Sequence, residues 1–212
     1  MNIEEYAKGN ELFKVYFKKH KEELLRLVNE GQKPKALFIG CSDSRVIPDL
    51  MLQTTPGDLF VLRNVGNFVP PYSPDDDFHA TASGIEYAVS VLKVKEIILC
   101  GHSHCGACAA LYEKIEDDNL IHTKKWLSLG EKAKTAALLS LGKDANQEEL
   151  LRLTEKLSII NQMENLLTYP KIKERLEKGD LYIHGWYYHI ENGEIEYFDT
   201  ETYQFKPLNT LS

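Results

Sequence analysis

The stretch Ala36-Leu37-Phe38-Ile39-Gly40-Cys41-Ser42-Asp43-Ser44-Arg45 joins a short apolar run to a group of reactive side chains. The run at 36–39 has the length and the apolar character of a buried strand. Directly after it come a thiol, a carboxylate and a guanidinium, at Cys41, Asp43 and Arg45. In open α/β sheets, ligands bind at the carboxyl ends of strands, because loops leave the rigid sheet there. We therefore expect these three side chains to line a binding crevice.

A second apolar run leads in the same way into a polar cluster. The run is Glu96-Ile97-Ile98-Leu99-Cys100, and the cluster that follows is Gly101-His102-Ser103-His104-Cys105-Gly106. Thiols and imidazoles are side chains that bind soft and borderline metal ions. Two predicted strands therefore end in candidate metal ligands.

The two clusters together suggest a zinc site with a catalytic role. Cys41 and Asp43 are separated by one residue, so in extended chain they point to the same face and can reach one ion. On a turn, His102 and Cys105 can do the same. Two sulfurs, one nitrogen and one oxygen suit tetrahedral Zn²⁺. A purely structural zinc site needs no nearby cation, whereas the fork of Arg45 can draw Asp43 off the metal.

The rest of the chain alternates between strand and helix signals. Helices are predicted at 4–30 (one or two helices), at 80–92 and, with breaks at Gly130, Gly142 and Pro170, from 108 to 177; further strands are predicted at 59–62, 181–188 and 195–198. Asn192-Gly193 between the last two runs is a strong hairpin signal. Continuous apolar strands separated by helices favour an α/β fold with a mostly parallel central sheet. We expect the Lys and Glu side chains of 108–177 to form a solvated face.

Length and charge exclude several classes of protein. At 212 residues the chain is expected to form one domain spanning 1–212. Lys and Arg total 25 against 32 for Asp and Glu, a net charge of −7, which argues against binding to nucleic acids or anionic membranes. The first residues lack the pattern of a signal peptide and no run is apolar enough to span a membrane, so we expect a cytoplasmic protein. The four cysteines are then expected to be reduced.

The sequence resembles the β-class carbonic anhydrases. The resemblance rests on the clusters 41–45 and 101–106 and on three shorter motifs that fall between them in the family's order. These motifs are Pro56-Gly57, Arg63-Asn64-Val65 and Ile85-Glu86-Tyr87. The likeness is dense from about 32 to 108 and looser elsewhere. It implies the reversible hydration of CO₂ to bicarbonate and a proton, with one Zn²⁺ per chain.

The resemblance also implies roles for individual residues. Cys41, His102 and Cys105 would hold zinc, and Asp43 would either bind it or, paired with Arg45, orient the nucleophile. The positions that match the family's substrate-binding residues are Gln32, which hydrogen-bonds the substrate across a dimer interface, Phe60, Val65 and Tyr87, which form an apolar CO₂ pocket, and Gly106.

The family's architecture is a parallel sheet with an antiparallel edge and helices around it, assembled as a homodimer or a higher even oligomer. Residues 1–30 would form a helical arm that packs on the partner subunit. Some members also bind bicarbonate at a noncatalytic site made from a Trp, an Arg and a Tyr. Arg63 and Tyr188 match two of these residues, but Phe38 stands in place of the Trp. We therefore expect this site not to operate.

Several alternatives remain open from the sequence. The same fold and ligands suit hydrolysis of COS or CS₂, and a zinc-stabilised binding module without catalysis is a third hypothesis. Cys105 and Cys108 have the spacing of a redox pair, but Cys105 is better explained as a ligand and Cys108 as a small buried residue. Cys100 is predicted to pack in the core. His104 is predicted to face away from the metal, as a proton relay or a simple surface residue.

Overall fold

The computed structural model of the protein describes residues 3–75, 77, 79–142 and 145–211. Within these ranges six strands form one sheet. They are β1 (Ala36–Cys41), β2 (Leu59–Asn64), β3 (Glu96–His102), β4 (Tyr182–Tyr188), β5 (Ile195–Asp199) and β6 (Gln204–Pro207). In the spatial order β2-β1-β3-β4-β5-β6, the first four strands are parallel and the last two are antiparallel additions at one edge. The predicted α/β fold with a mostly parallel sheet and an antiparallel edge is confirmed.

The helices lie around this sheet. They are α1 (Ile3–Lys19), α2 (Lys21–Glu30), α3 (Pro48–Leu52), α4 (Ala80–Glu86), α5 (Gly106–Ala110), α6 (Ile121–Leu127), α7 (Glu131–Leu141), α8 (Gln147–Leu166) and α9 (Pro170–Glu177). The helix predicted at 80–92 is present, but its second half, Tyr87–Leu92, is wound as a π-helix. None of the described helices has the length and apolar character needed to cross a membrane.

Both faces of the central strands are buried. On one face Leu37, Ile39, Ile97 and Leu99 pack in a cluster that includes Ile159 of α8. On the other face Ala36, Phe38, Ile98 and Cys100 form a second cluster, with two side chains of α3 packed against it. Burial on both sides explains why β1 and β3 have continuous apolar sequences rather than alternating ones. Cys100 is a core residue, as predicted.

The strands β1 and β3 run further than their apolar sequences indicate, and their ends position the candidate site. The predicted strand at 36–39 continues to Cys41, and the one at 96–100 continues to His102. The two strands are parallel neighbours, with Gly40 opposite Cys100. Because parallel neighbours end at the same edge of a sheet, Cys41 and His102 emerge side by side.

Two short secondary-structure elements are not predicted by the sequence. The sequence predicts neither α3, a helix of five residues that starts at Pro48, nor β6, a strand of four residues. Both are short, and short elements carry little periodic signal.

The predicted hairpin is confirmed by the antiparallel pairing of β4 with β5. Gly193 in its turn adopts a φ of +81°, in the left-handed region that favours glycine.

The helices α1 and α2 contrast with the rest of the molecule. The predicted helical segment 4–30 is confirmed and divides into two helices at His20. Neither helix contains a buried residue. Large apolar side chains, including Leu12 and Val28, remain mostly exposed within this chain.

Candidate metal centre and active site

Three side chains meet at the carboxyl edge of the sheet. Cys41 is the last residue of β1, His102 is the last residue of β3, and Cys105 directly precedes α5. One ligand atom from each lies within 4.8 Å of the others. All three residues are buried, with exposed fractions of 6% or less. The structure therefore brings together the three predicted ligands that offer sulfur and nitrogen.

The imidazole of His102 is held in the form that binds metals. Its Nδ1 lies 2.8 Å from the carbonyl oxygen of Ser103, and a carbonyl only accepts, so Nδ1 carries the proton. The other ring nitrogen, Nε2, is buried and has no hydrogen-bond partner among the described residues. A buried nitrogen lone pair without a partner is costly unless an ion or another donor satisfies it. The tautomer of His102 thus fits a metal bound through Nε2.

The two thiols also fit a metal ion. The Cys105 thiol and burial raise the pKa of Cys41 to about 12, and the neighbouring Cys108 thiol raises the pKa of Cys105. The sulfur of Cys41 nevertheless accepts two backbone N–H groups, from Asp43 and Gly66, each at 3.4 Å. Such donors stabilise a thiolate, and a divalent cation would supply the charge that makes both thiols ionise. Two sulfurs and one imidazole nitrogen are typical ligands of Zn²⁺.

Asp43 is paired with Arg45. Arg45 donates from Nε to Oδ1 at 2.9 Å and from Nη2 to Oδ2 at 2.7 Å, and its backbone N–H also donates to Oδ1. Hydrogen bonds from this guanidinium hold the pKa of Asp43 well below its usual range. Nη2 of Arg45 also donates to the carbonyl oxygen of His104 at 3.0 Å, which joins the two clusters. Of the two predicted positions of Asp43, the structure has the one paired with Arg45.

Arg63 fixes the same loop from the neighbouring strand β2. Its Nε donates to the carbonyl oxygen of Cys41 at 3.0 Å, and its Nη2 donates to the carbonyl oxygen of Asp43 at 2.6 Å. The sequence indicated Arg63 as a match to the family's noncatalytic bicarbonate site but did not indicate these acceptors. Phe38 is fully buried in the core, and Arg63 binds backbone carbonyl oxygens. The expectation that no noncatalytic bicarbonate site operates stays a prediction.

The predicted substrate-binding residues are only partly assembled. The rings of Phe60 and Tyr87 lie 5.9 Å apart between centroids. Val65 follows β2 directly and is about half exposed, and Gly106 begins α5 next to Cys105. Gln32 is exposed in the segment between α2 and β1, and among the described residues no hydrogen bond joins it to the cluster.

One buried carboxylate beside the site was missed. Glu155 of α8 is 2% exposed, and its Oε1 accepts the backbone N–H of Cys105 at 2.9 Å. Burial raises the pKa of Glu155 to about 7. The prediction that the Glu side chains of 108–177 form a solvated face is therefore wrong at this position. The sequence could have indicated the burial of Glu155, because this residue lies four residues before Ile159 and hence on the apolar face of the helix.

The structure also shows the positions of Cys108 and His104. Cys108 is buried and free, as predicted for a small core residue. His104 is half-exposed, with its Nε2 at 3.9 Å from a carboxylate oxygen of Glu191. Its backbone has a φ of +56°, a left-handed conformation that is uncommon for a residue with a side chain.

Comparison with known proteins gives a consistent family. The family model described as carbonic anhydrase matches residues 36–195. The carbonic anhydrase of Pseudomonas aeruginosa is 41% identical over 188 residues, which cover 89% of this chain and 84% of the relative. The solved β-carbonic anhydrase CcaA superposes with a TM-score of 0.89 at 38% identity, covering 97% of this chain and 91% of that chain.

A second solved structure extends the comparison to a fungal protein. One of two tetrameric β-carbonic anhydrases from Sordaria macrospora superposes with a TM-score of 0.78 at 31% identity, covering 98% of both chains. The family model, the sequence relatives and the solved structures all point to the same family. This chain therefore belongs to the β-class carbonic anhydrases, a family of enzymes.

Proposed function

We propose that the protein catalyses the reversible hydration of CO₂ to bicarbonate and a proton, with one zinc ion per chain held by Cys41, His102 and Cys105. The observation that carries this proposal is the buried group of two thiols and an imidazole whose Nε2 is left without a partner. A zinc ion held by these residues would supply a Lewis acid that makes hydroxide available to react with CO₂.

Asp43 and Arg45 are the proposed catalytic pair. Arg45 keeps the carboxylate of Asp43 ionised and fixes both of its oxygens. A fixed carboxylate accepts a hydrogen bond from the attacking water or hydroxide and so orients it toward the substrate. Arg45 is about half exposed and Asp43 only slightly, so the pair lies where the buried cluster meets the solvent.

The substrate pocket is proposed to comprise Phe60, Val65, Tyr87, Gln32 and Gly106. Apolar walls suit CO₂, a neutral and weakly solvated molecule, while a small number of polar groups fix its orientation. The contact between the rings of Phe60 and Tyr87 supports such a wall. Gln32 is proposed to reach the site of a partner subunit rather than its own.

We further propose that 1–212 is a single domain and that 1–30 is an arm which packs on a partner subunit. The exposed apolar residues of α1 and α2 support this, because a helix of this kind usually gains its stability from packing its apolar face. A homodimer or a higher even oligomer follows, in line with the tetrameric β-carbonic anhydrases of Sordaria macrospora. The cytoplasmic location stays a prediction from the sequence.

The test is stopped-flow CO₂ hydration on protein of known zinc content, from about pH 6.5 to about pH 9. We expect about one zinc ion per chain and a rate that rises with pH, because hydroxide becomes more available. A matched pair of variants separates zinc loss from general damage. Cys41→Ala is expected to lose zinc and activity, whereas Cys100→Ala, a buried cysteine in the neighbouring strand, is expected to keep both.

Two results would redirect the proposal. Zinc-loaded protein that fails to hydrate CO₂ but cleaves COS or CS₂ would be a hydrolase of the same fold. Zinc-loaded protein that attacks none of these substrates would leave a structural zinc module.

A further inference from the structure

The buried carboxylate of Glu155 lies directly behind the turn that carries Cys105. Its Oε1 accepts the backbone N–H of Cys105 at 2.9 Å, and its Oε2 accepts the hydroxyl of Tyr187 at 2.8 Å. Arg152, one turn earlier on α8, approaches Oε1 at 3.0 Å. A carboxylate buried to this extent is costly unless it is hydrogen-bonded and paired, and here both oxygens are satisfied.

The turn that Glu155 supports is strained. His104, the residue before Cys105, has a φ of +56°. A residue with a side chain stays in this conformation only when its surroundings hold it there. The carbonyl oxygen of His104 is held by Arg45, and the N–H of Cys105 is held by Glu155. The two bonds lie on neighbouring residues and together set the direction in which Cys105 leaves the turn.

The hydrogen bonds of Glu155 are directed at this turn rather than at a core ion pair. In a bidentate ion pair, two N–H groups of the arginine bind both carboxylate oxygens. In Arg152, Nε and Nη1 are buried without a hydrogen-bond partner among the described residues, and only Nη2 reaches Glu155. The orientation of the carboxylate is therefore set by Cys105 and Tyr187, and Arg152 balances its charge.

We propose that Glu155 is a positioning residue of the metal centre, which holds the backbone of Cys105 so that its sulfur meets Cys41 and His102. The proposal rests on the proposed function in that Cys105 is taken as a metal ligand. Tyr187, from the neighbouring strand β4, holds the carboxylate in place. Groups that support a ligand in this way typically change metal affinity about 10- to 100-fold when they are removed.

The experiment measures zinc affinity by competition with a chelator, on the full chain and well below the unfolding temperature of each variant. Glu155→Ala is expected to weaken zinc binding about 10- to 100-fold. Glu155→Gln is expected to stay within about threefold of the unmodified chain, because its amide oxygen still accepts the N–H of Cys105. Ile159→Val, a packing change one turn further along the same face of α8, is the control and is expected to lower stability without weakening zinc binding.

The absorption spectrum of the cobalt-substituted protein gives a second readout. Glu155→Ala is expected to change the ligand-field bands, because Cys105 shifts relative to the other ligands, and Ile159→Val is expected to leave them unchanged. If Glu155→Ala does not fold, Tyr187→Phe is the deciding variant. It is expected to weaken zinc binding more than the Ile159→Val control does, but less than is expected for Glu155→Ala.

Zinc affinity and cobalt spectra that are unchanged in Glu155→Ala, with only the unfolding temperature lowered, would overturn the proposal and make Glu155 a core residue. CO₂ hydration measured on the same samples keeps the two proposals apart. An unmodified chain that binds zinc but does not hydrate CO₂ overturns the proposed function, while the comparison of affinities still decides the role of Glu155.

Discussion

The two loops that form the metal centre are held in opposite ways. The loop after β1, with Cys41 and Asp43, is held by arginines, since Arg45 binds its carboxylate and Arg63 binds its backbone carbonyls. The turn after β3 is held mainly by carboxylates, since Glu155 binds the N–H of Cys105 and Glu191 accepts the hydroxyl of Ser103. We name these the arginine side and the carboxylate side.

The difference follows from burial. On the arginine side, Arg45 is about half exposed, so water can compete for its hydrogen bonds with Asp43. On the carboxylate side, Glu155 and Cys105 are almost completely buried, and breaking the hydrogen bond between them would leave polar groups unsatisfied. The half-exposed pair of Arg45 and Asp43 on the arginine side is therefore suited to orienting a reactant, and the buried bond from Cys105 to Glu155 on the carboxylate side to holding a metal ligand in place. Four predictions test this division.

The largest expected effect is that of Arg45→Ala. Asp43 loses the fork that orients it, so we expect kcat/KM to fall by about 100-fold or more while zinc content stays unchanged. Stopped-flow hydration and metal analysis on the same preparation measure both. Arg45→Lys keeps the charge but not the fork and should retain an intermediate rate. Loss of zinc from Arg45→Ala would break the division between the two sides.

Zinc affinity is expected to depend steeply on pH. The pKa of Cys41 is raised to about 12 and that of Cys105 is also raised, so both thiols are protonated near pH 7 before zinc binds. Binding then releases up to two protons, and the apparent affinity should rise with pH by up to about 100-fold per unit. Calorimetry in buffers of different ionisation enthalpy counts these protons. Zinc binding without proton release would contradict the prediction.

A smaller effect is expected for Arg63→Ala. This change frees the carbonyl oxygens of Cys41 and Asp43 but leaves the side chains of both residues intact. We expect kcat/KM to fall about tenfold, with a smaller change in zinc affinity, because the loop that carries Asp43 is less well oriented. Lys178→Ala, at an exposed lysine outside the proposed arm, serves as a surface control. Equal losses in the two variants would remove the special role of Arg63.

The smallest effect is expected for Glu191→Ala on the carboxylate side. Its carboxylate accepts the hydroxyl of Ser103, which holds its pKa down at about 2, so it is ionised at neutral pH. The side chain is about half exposed, and water can replace it as an acceptor. We expect zinc affinity to change by about threefold or less, well below the change for Glu155→Ala. A larger loss than for Glu155→Ala would reverse the order of the two carboxylates.

The sequence by itself determined five of the six described strands and most of the candidate metal centre. Continuous apolar strands require burial on both faces, and parallel strands end at one edge, so Cys41 and His102 were expected to meet there. Cys105 and the pairing of Asp43 with Arg45 followed from spacing within a few residues. These features depend on local pattern and on the geometry of a parallel sheet, both of which can be read along the chain.

Only the tertiary structure decided how the centre is supported. Glu155 is 50 residues away from Cys105 along the chain, and Arg63 is 22 residues away from Cys41. Both bind backbone groups, which every residue possesses and which therefore leave no mark in the sequence. Their contacts depend on how α8 packs across β3 and on how β2 pairs with β1. Long-range packing thus selected which of many similar charged side chains became part of the site.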